Sequence, residues 1–172
     1  MNQKMCWTAA ALLVIGSTAA EAAEKLTLKI NNQIVSAYRT ADLESAKKEA
    51  SEAHKPIAWI STAAQLVDGK GSISMESSRG ATLHAFFALR TRTVLVFMDA
   101  YEENHKVLKL VDEALHTPDP HYTPPTVVFL DAEAKRVLAT VIYEPDFTKR
   151  AKALAAALEQ VKAGEKTEGG GK

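Results

Sequence analysis

Three short apolar runs, IAWI (57–60), TVLVFM (93–98) and TVVFL (126–130), constrain the fold of this chain more than any other feature. Each is too short for a helix and lacks polar alternation, so each reads as a strand buried on both faces. Strands of that kind need cover on two sides. The stretches between them supply it at helical spacing: Leu43, Ala46, Ala50 and Ala53 before Lys55-Pro56, then Leu83, Phe86, Phe87 and Arg90, then Val107, Leu110, Val111, Ala114 and Leu115. Thr40 is the expected N-cap of the first helix, with Asp42 in its first turn, and the third helix is expected over 102–116.

The remaining segments complete the order. Residues 26–35 (LTLKINNQIV) read as a strand or short hairpin around Asn31-Asn32. Residues 61–80, with five Ser and three Gly, read as a loop, and the four prolines within TPDPHYTPP (117–125) forbid regular structure. After the third run, the turn DAEAK leads to a fourth strand over 137–143, and so short a turn forces an antiparallel hairpin. Asp146 is expected to cap a last helix with Phe147, Ala151, Leu154, Leu158 and Val161 on one face, stopped by Gly164. Helical crossovers are read as joining parallel strands, so the expected class is α/β: a mixed sheet of parallel strands plus a C-terminal antiparallel hairpin, with helices on both faces.

The amino terminus bears on the compartment. Lys4 precedes an apolar run over 7–20, and small residues at Thr18, Ala20 and Ala22 permit cleavage after Ala20 or, as favoured here, after Ala22. As a helix the run reaches about 21 Å, short of a hydrocarbon core of about 30 Å, so residues 1–22 read as a signal peptide. The single cysteine of the chain, Cys6, leaves with that leader, and the mature chain is then expected to hold no thiol. Export to a periplasm or an extracellular space is the expectation, in a bacterial envelope rather than a eukaryotic secretory route because no N-x-[ST] acceptor is present. With 21 basic and 21 acidic residues among 172, the chain carries no formal net charge, which argues against nucleic acid or, after cleavage, a membrane as its partner.

Three stretches resemble thioredoxin-like proteins. DLESAKKEASEAHKPIAWIS (42–61) is similar to the helix, Lys-Pro and strand that precede the redox loop of secreted members. TPPTVVFLDAEAKRVLATV (123–141) is similar to their Pro-Thr, strand, turn and strand signature, and the helix from Asp146 is similar to their last one. The resemblance implies a thioredoxin-like domain over 38–163, preceded by a strand or hairpin extension over 23–37 and followed by a disordered tail over 164–172. It also implies that Pro125, before Thr126, is the family's cis-proline, which presents backbone groups to a bound extended peptide. Where the family carries two redox cysteines after the first buried strand, this chain has STAAQLV (61–67). Disulfide exchange needs a thiolate, and a serine hydroxyl cannot form the sulfur–sulfur bond, so redox activity is excluded.

The resulting expectation is a redox-inactive module that binds a protein or an extended peptide, without a cofactor, through Trp59, Ser61, Thr62, Tyr122 and Pro125. Trp59 reads as core or as crevice lining, and Ser61 and Thr62 as loop caps or crevice hydroxyls. The alternative is a non-redox enzyme using Ser61, Thr62 and His121, or a weak metal site at His116, Asp119 and His121. Against the metal stands ordinary chemistry: His116 suits a helix C-terminus and Asp119 suits a turn between prolines. His84 and His105 fall within helices, and the segment 68–78 reads as a solvated insertion, a lid or a partner surface.

Overall fold

The protein is described here as a computed structural model covering residues 25–30, 33–63, 65–67, 72–74, 79–100, 107–117 and 123–168. The chain opens with a hairpin, β1 (Leu26–Ile30) and β2 (Gln33–Arg39), in which Leu26 faces Ala37 and Ile30 faces Gln33. A 3-10 turn over Thr40–Asp42 leads into α1 (Leu43–Ala53). Thr40 is therefore the first residue of that turn rather than a cap, and α1 begins at Leu43 with no side chain capping it. His54 closes the helix in the left-handed conformation, its N–H and that of Lys55 reaching back to the carbonyl of Ala50. Pro56 follows, where a further helical turn would lack a donor.

β3 (Ile57–Thr62) is buried along its whole length, as is β7 (Thr126–Leu130), and only the final residue of β6 (Val94–Asp99) is part-exposed. Between β3 and α2 (Arg79–Leu89) lie β4 (Gln65–Val67) and β5 (Ser72–Ser74), which pair antiparallel with Leu66 opposite Ile73. This corrects the expectation of a loop over 61–80. Ser-rich flanks hide the alternation of so short a ribbon, although the Asp68-Gly69 pair between the arms is a hairpin signal. After α3 (Lys109–His116), the chain runs through β7, β8 (Val137–Val141) and α4 (Phe147–Glu168).

Six strands form one mixed sheet in the order β1-β2-β6-β3-β7-β8. β2 and β3 both run parallel to β6, so the 37/38 boundary drawn from the sequence falls inside a sheet strand. β7 lies antiparallel to β3, with Ile57 opposite Leu130 and Ser61 opposite Thr126. Here the sequence rule that crossovers join parallel strands fails. The connection leaves β6 beyond Asp99, beside Thr62, and delivers β7 at Thr126, beside Ser61, so it starts and ends at one end of the sheet. Its helix has eight residues, about 12 Å long, and does not carry the chain back along the strands. The β7–β8 hairpin is antiparallel, as expected, with a register shift at Phe129/Leu130.

Two cores flank the sheet. On one face Ala46 and Ala50 of α1 and Val111 and Leu115 of α3 pack with Ile57, Trp59, Val96, Met98 and Val128. On the other, Phe86 and Leu89 of α2 and Leu154, Leu158 and Val161 of α4 pack with Ile60, Phe97 and Phe129. Each fully buried large apolar side chain contributes about 1.5–3 kcal/mol, so the alternating faces of β3, β6 and β7 hold the layers together. Phe147, expected on the buried face of α4, is instead 62% exposed at the first residue of the helix, its ring 4.5 Å from that of His84. Nor does Gly164 stop α4, which continues to Glu168, so helix occupies the start of the expected disordered tail. An interior glycine costs a helix about 1 kcal/mol and does not forbid it. The architecture is mixed α/β and compatible with a thioredoxin-like fold.

Candidate functional site

The register of three strands brings Ser61, Thr62, Met98, Asp99 and Thr126 together at one end of the sheet. Ser61 sits between Met98 on β6 and Thr126 on β7, and Thr62 sits beside Asp99 and accepts the Ala100 N–H at 2.8 Å. Thr126, one residue beyond Pro125, donates its hydroxyl to the Thr123 carbonyl at 3.2 Å. The Pro124–Pro125 peptide bond is cis, at the position named from the resemblance. Trp59 lies on the same strand but is wholly buried among the α1 and α3 side chains, its indole N–H directed at the Met98 sulfur 3.4 Å away. Trp59 is therefore core, not crevice lining.

Burial decides what the hydroxyls can do. Ser61 and Thr62 are fully buried, and Thr126 and Pro125 are buried with them. The Thr62 hydroxyl meets that of Thr82 on α2 at 2.8 Å, a second buried hydroxyl that the sequence reading did not single out. A hydroxyl is no general base, and a nucleophilic threonine or serine needs one within reach. Buried hydroxyls that bond one another hold β3 against α2 and satisfy their polarity there. Thr82 had one legible signal, a polar residue set between Ala81 and Ala85 on an otherwise apolar helix face.

The segment 123–125 offers a different chemistry. Thr123 is exposed, and Pro124 and Pro125 carry no N–H. Of these three residues Thr123 alone carries a backbone N–H, and its carbonyl already accepts the Thr126 hydroxyl. Such a loop accepts more hydrogen bonds than it donates. Tyr122, His121 and Asp119 lie outside the described residues, as do His105 and much of the 68–78 insertion. Among the described residues, no group of three or more His, Cys, Asp or Glu is placed to hold a metal ion. His116 ends α3 with its Nδ1 2.9 Å from the Asp112 carbonyl and 3.3 Å from its carboxylate, the arrangement expected of an imidazole at a helix C-terminus.

Two charged clusters lie elsewhere. At the start of β6, a hollow of about 340 Å³ is lined by Lys25, Ser36, Tyr38, Glu49, Arg90 and Thr93, among others. Glu49 there accepts the Tyr38 hydroxyl at 2.8 Å and pairs with Lys25, whose ammonium also lies over the Tyr38 ring. Burial works against the Glu49 carboxylate, yet the Lys25 and Tyr38 hydrogen bonds and nearby lysine charges hold its pKa below the usual range. Burial and the same carboxylate push the Tyr38 phenol well above its ordinary value. On the opposite face, Arg150 is 8% exposed and donates to the Glu144 and Pro145 carbonyls and to Nδ1 of His84. Burial and the Arg150 charge lower the His84 pKa. Lys25 and Glu49 pair their charges in the first cluster, and in the second Arg150 directs its donors at two carbonyls and an imidazole nitrogen.

No known family pattern matches the sequence, and no curated protein matches it. Among solved structures, a protein titled DsbH oxidoreductase is similar at 19% identity over 88% of this chain and 95% of that one, with a TM-score of 0.41. That likeness is weak and says nothing about the chemistry of this chain. No helix among the described residues is long and apolar enough to cross a membrane.

Proposed function

We propose that this is an exported, redox-inactive protein of thioredoxin-like fold that holds an extended segment of a partner protein at the end of the sheet where Ser61 and Pro125 meet. The observation that carries the reading is the β3–β7 pairing, which sets Ser61 opposite Thr126 and next to the cis Pro124–Pro125 loop. At the place where related enzymes keep a thiol pair, this chain has Ser61, Thr62 and Ala63, and its one cysteine is Cys6. One cysteine cannot form the internal disulfide that exchange chemistry cycles through. Binding then rests on the accessible start of the loop, with the Pro124 carbonyl and the Thr123 N–H as the contacts. Tyr122, next to them in sequence, adds an aromatic contact of the kind enriched at interfaces.

The partner must present N–H donors in extended form, so the reading favours an unfolded or strand-like segment over a helix. Binding of a labelled, permanently unfolded polypeptide, followed by fluorescence anisotropy, tests it. Saturable binding is expected, and Thr123→Pro, which removes the nearest N–H, is expected to weaken it about threefold to tenfold, the worth of one hydrogen bond. Absence of saturable binding, or binding unchanged by Thr123→Pro, contradicts the assignment. Export rests on the leader read over residues 1–22, and its test is recovery of a shortened chain from the envelope fraction of expressing cells.

A further inference from the structure

Arg150 carries a charge that no acid among the described residues neutralises. The residue is 8% exposed, and arginine is seldom buried so deeply without a carboxylate beside it. Its partners are all neutral: Nη1 donates to the Glu144 and Pro145 carbonyls at 2.6 and 3.2 Å, and Nε donates to Nδ1 of His84 at 3.2 Å. Among the described residues, Nη2 has no acceptor and no carboxylate forms an ion pair with the guanidinium. The nearest acids in sequence are engaged by backbone, the Glu144 carboxylate accepting the Asp146 N–H and the Asp146 carboxylate accepting the Lys149 N–H. A guanidinium does not give up its proton in a protein, so the charge persists.

Two further groups sit with it. His84 accepts through Nδ1, so its neutral ring keeps the proton on Nε2, which has no acceptor among the described residues. The ring of Phe147 lies 4.5 Å from that of His84 and 5.7 Å from the guanidinium carbon of Arg150, and Phe147 is 62% exposed. Unused donors on a buried cation, next to an aromatic ring open to solvent, match an anion with an apolar body. A single negative charge neutralises Arg150, and the Glu144 and Asp146 carboxylates near it in sequence disfavour a second. A planar, singly charged carboxylate therefore suits the guanidinium better than a doubly charged phosphate. The cluster lies at the Ser61 end of the sheet, because Val141 pairs with Val127 and Thr82, on the same helix as His84, bonds Thr62.

We infer that Arg150, His84 and Phe147 form a binding site for an organic carboxylate with an apolar or aromatic body. Its oxygens take the unused N–H groups of Arg150 and His84, and its body lies on the Phe147 ring. The carboxylate belongs either to a free acid or to the C-terminus of a polypeptide, and the inference stands without the peptide-binding reading.

Titrating the isotope-labelled chain from residue 23 onward with phenylacetate, and following the Arg150 Nε–H and His84 ring signals by NMR, tests it. Saturable shifts of both signals are expected. Phenylacetamide, similar in shape but uncharged, should bind at least about tenfold more weakly, because charge-assisted hydrogen bonds are the stronger ones. Phe147→Ala, at an exposed position, should weaken phenylacetate about threefold to tenfold while leaving the melting temperature unchanged. Arg150→Met should abolish the shift at His84, and if that variant does not fold, the amide and Phe147→Ala comparisons still decide. A short unfolded peptide ending in phenylalanine separates the two sources: tighter binding than phenylacetate assigns the site to a chain end, and weaker binding assigns it to a free acid. No saturable shift, phenylacetamide binding as tightly as phenylacetate, or inorganic phosphate binding as tightly as either overturns the inference.

Discussion

The Thr62 and Thr82 hydroxyls lie 2.8 Å apart with both residues fully buried, which bonds the end of β3 to the first turns of α2. Replacing Thr62 with Val removes one partner and leaves the other hydroxyl to lose this bond in an apolar setting, at a cost of about 1–3 kcal/mol. Thr82→Val should cost a similar amount, and the double variant less than their sum by about 1 kcal/mol, because the second change removes a hydroxyl already deprived of that partner. Urea denaturation of the four proteins measures the coupling. Strict additivity would show that the two hydroxyls do not depend on one another.

His84 accepts from Arg150 through Nδ1, so the imidazole is neutral in this arrangement. Its pKa is lowered in the folded chain by burial and by the Arg150 charge, and the unfolded chain binds the proton more readily. Stability is therefore full above the unfolded value of about 6.5 and declines as pH falls from there through the lower folded value. Melting temperatures at about pH 7.5 and about pH 5.5 should differ more for the natural chain than for His84→Gln. Equal differences would contradict the assignment.

Glu49 behaves in the opposite limb. Its carboxylate is held ionised against the cost of burial by Lys25 and Tyr38, so its stabilisation is present above the ordinary carboxylate value of 4.5 and is lost as pH falls through the lower folded value. Glu49→Gln should leave a chain whose stability falls less steeply below about pH 4.5. Urea midpoints measured across that range check the slope.

His54 adopts φ 50° at the end of α1 and is exposed, so its side chain gives up little packing. Glycine takes this conformation without the Cβ penalty of about 1–2 kcal/mol, less its own greater loss of chain entropy. His54→Gly is expected to raise stability by about 0.5–1 kcal/mol in urea denaturation. A loss of stability would mean that the imidazole contributes more than its exposure suggests.

Local pattern disclosed the layers of this fold, and long-range pairing disclosed its topology. β3, β6 and β7 were legible because runs buried on both faces leave no polar alternation, and the register places all three side by side as neighbours. The Asp146 cap was legible too, its carboxylate accepting the Lys149 N–H at 2.8 Å. The direction of β7 was not, because it depends on where a long proline-rich connection ends rather than on any residue in the strand. Ser61, Thr62 and Pro125 were found as neighbours from resemblance, but their burial, and the Thr82 partner, follow from how α2 packs across β3. Trp59 shows the same limit, since a tryptophan next to a candidate crevice has the same sequence whichever face it points to.

On the proposed function, the Ser61–Pro125 end of the sheet binds an extended polypeptide without thiol chemistry. Titrating the isotope-labelled chain from residue 23 onward with an unfolded, cysteine-free polypeptide, and following backbone amides by NMR, tests this binding. Saturable shifts centred on Thr123, Ser61 and Thr62, with no dithiol-dependent reduction of insulin by the same preparation, are the predicted result. Amides at that end that stay unmoved while the polypeptide binds elsewhere, or measurable insulin reduction, would contradict it.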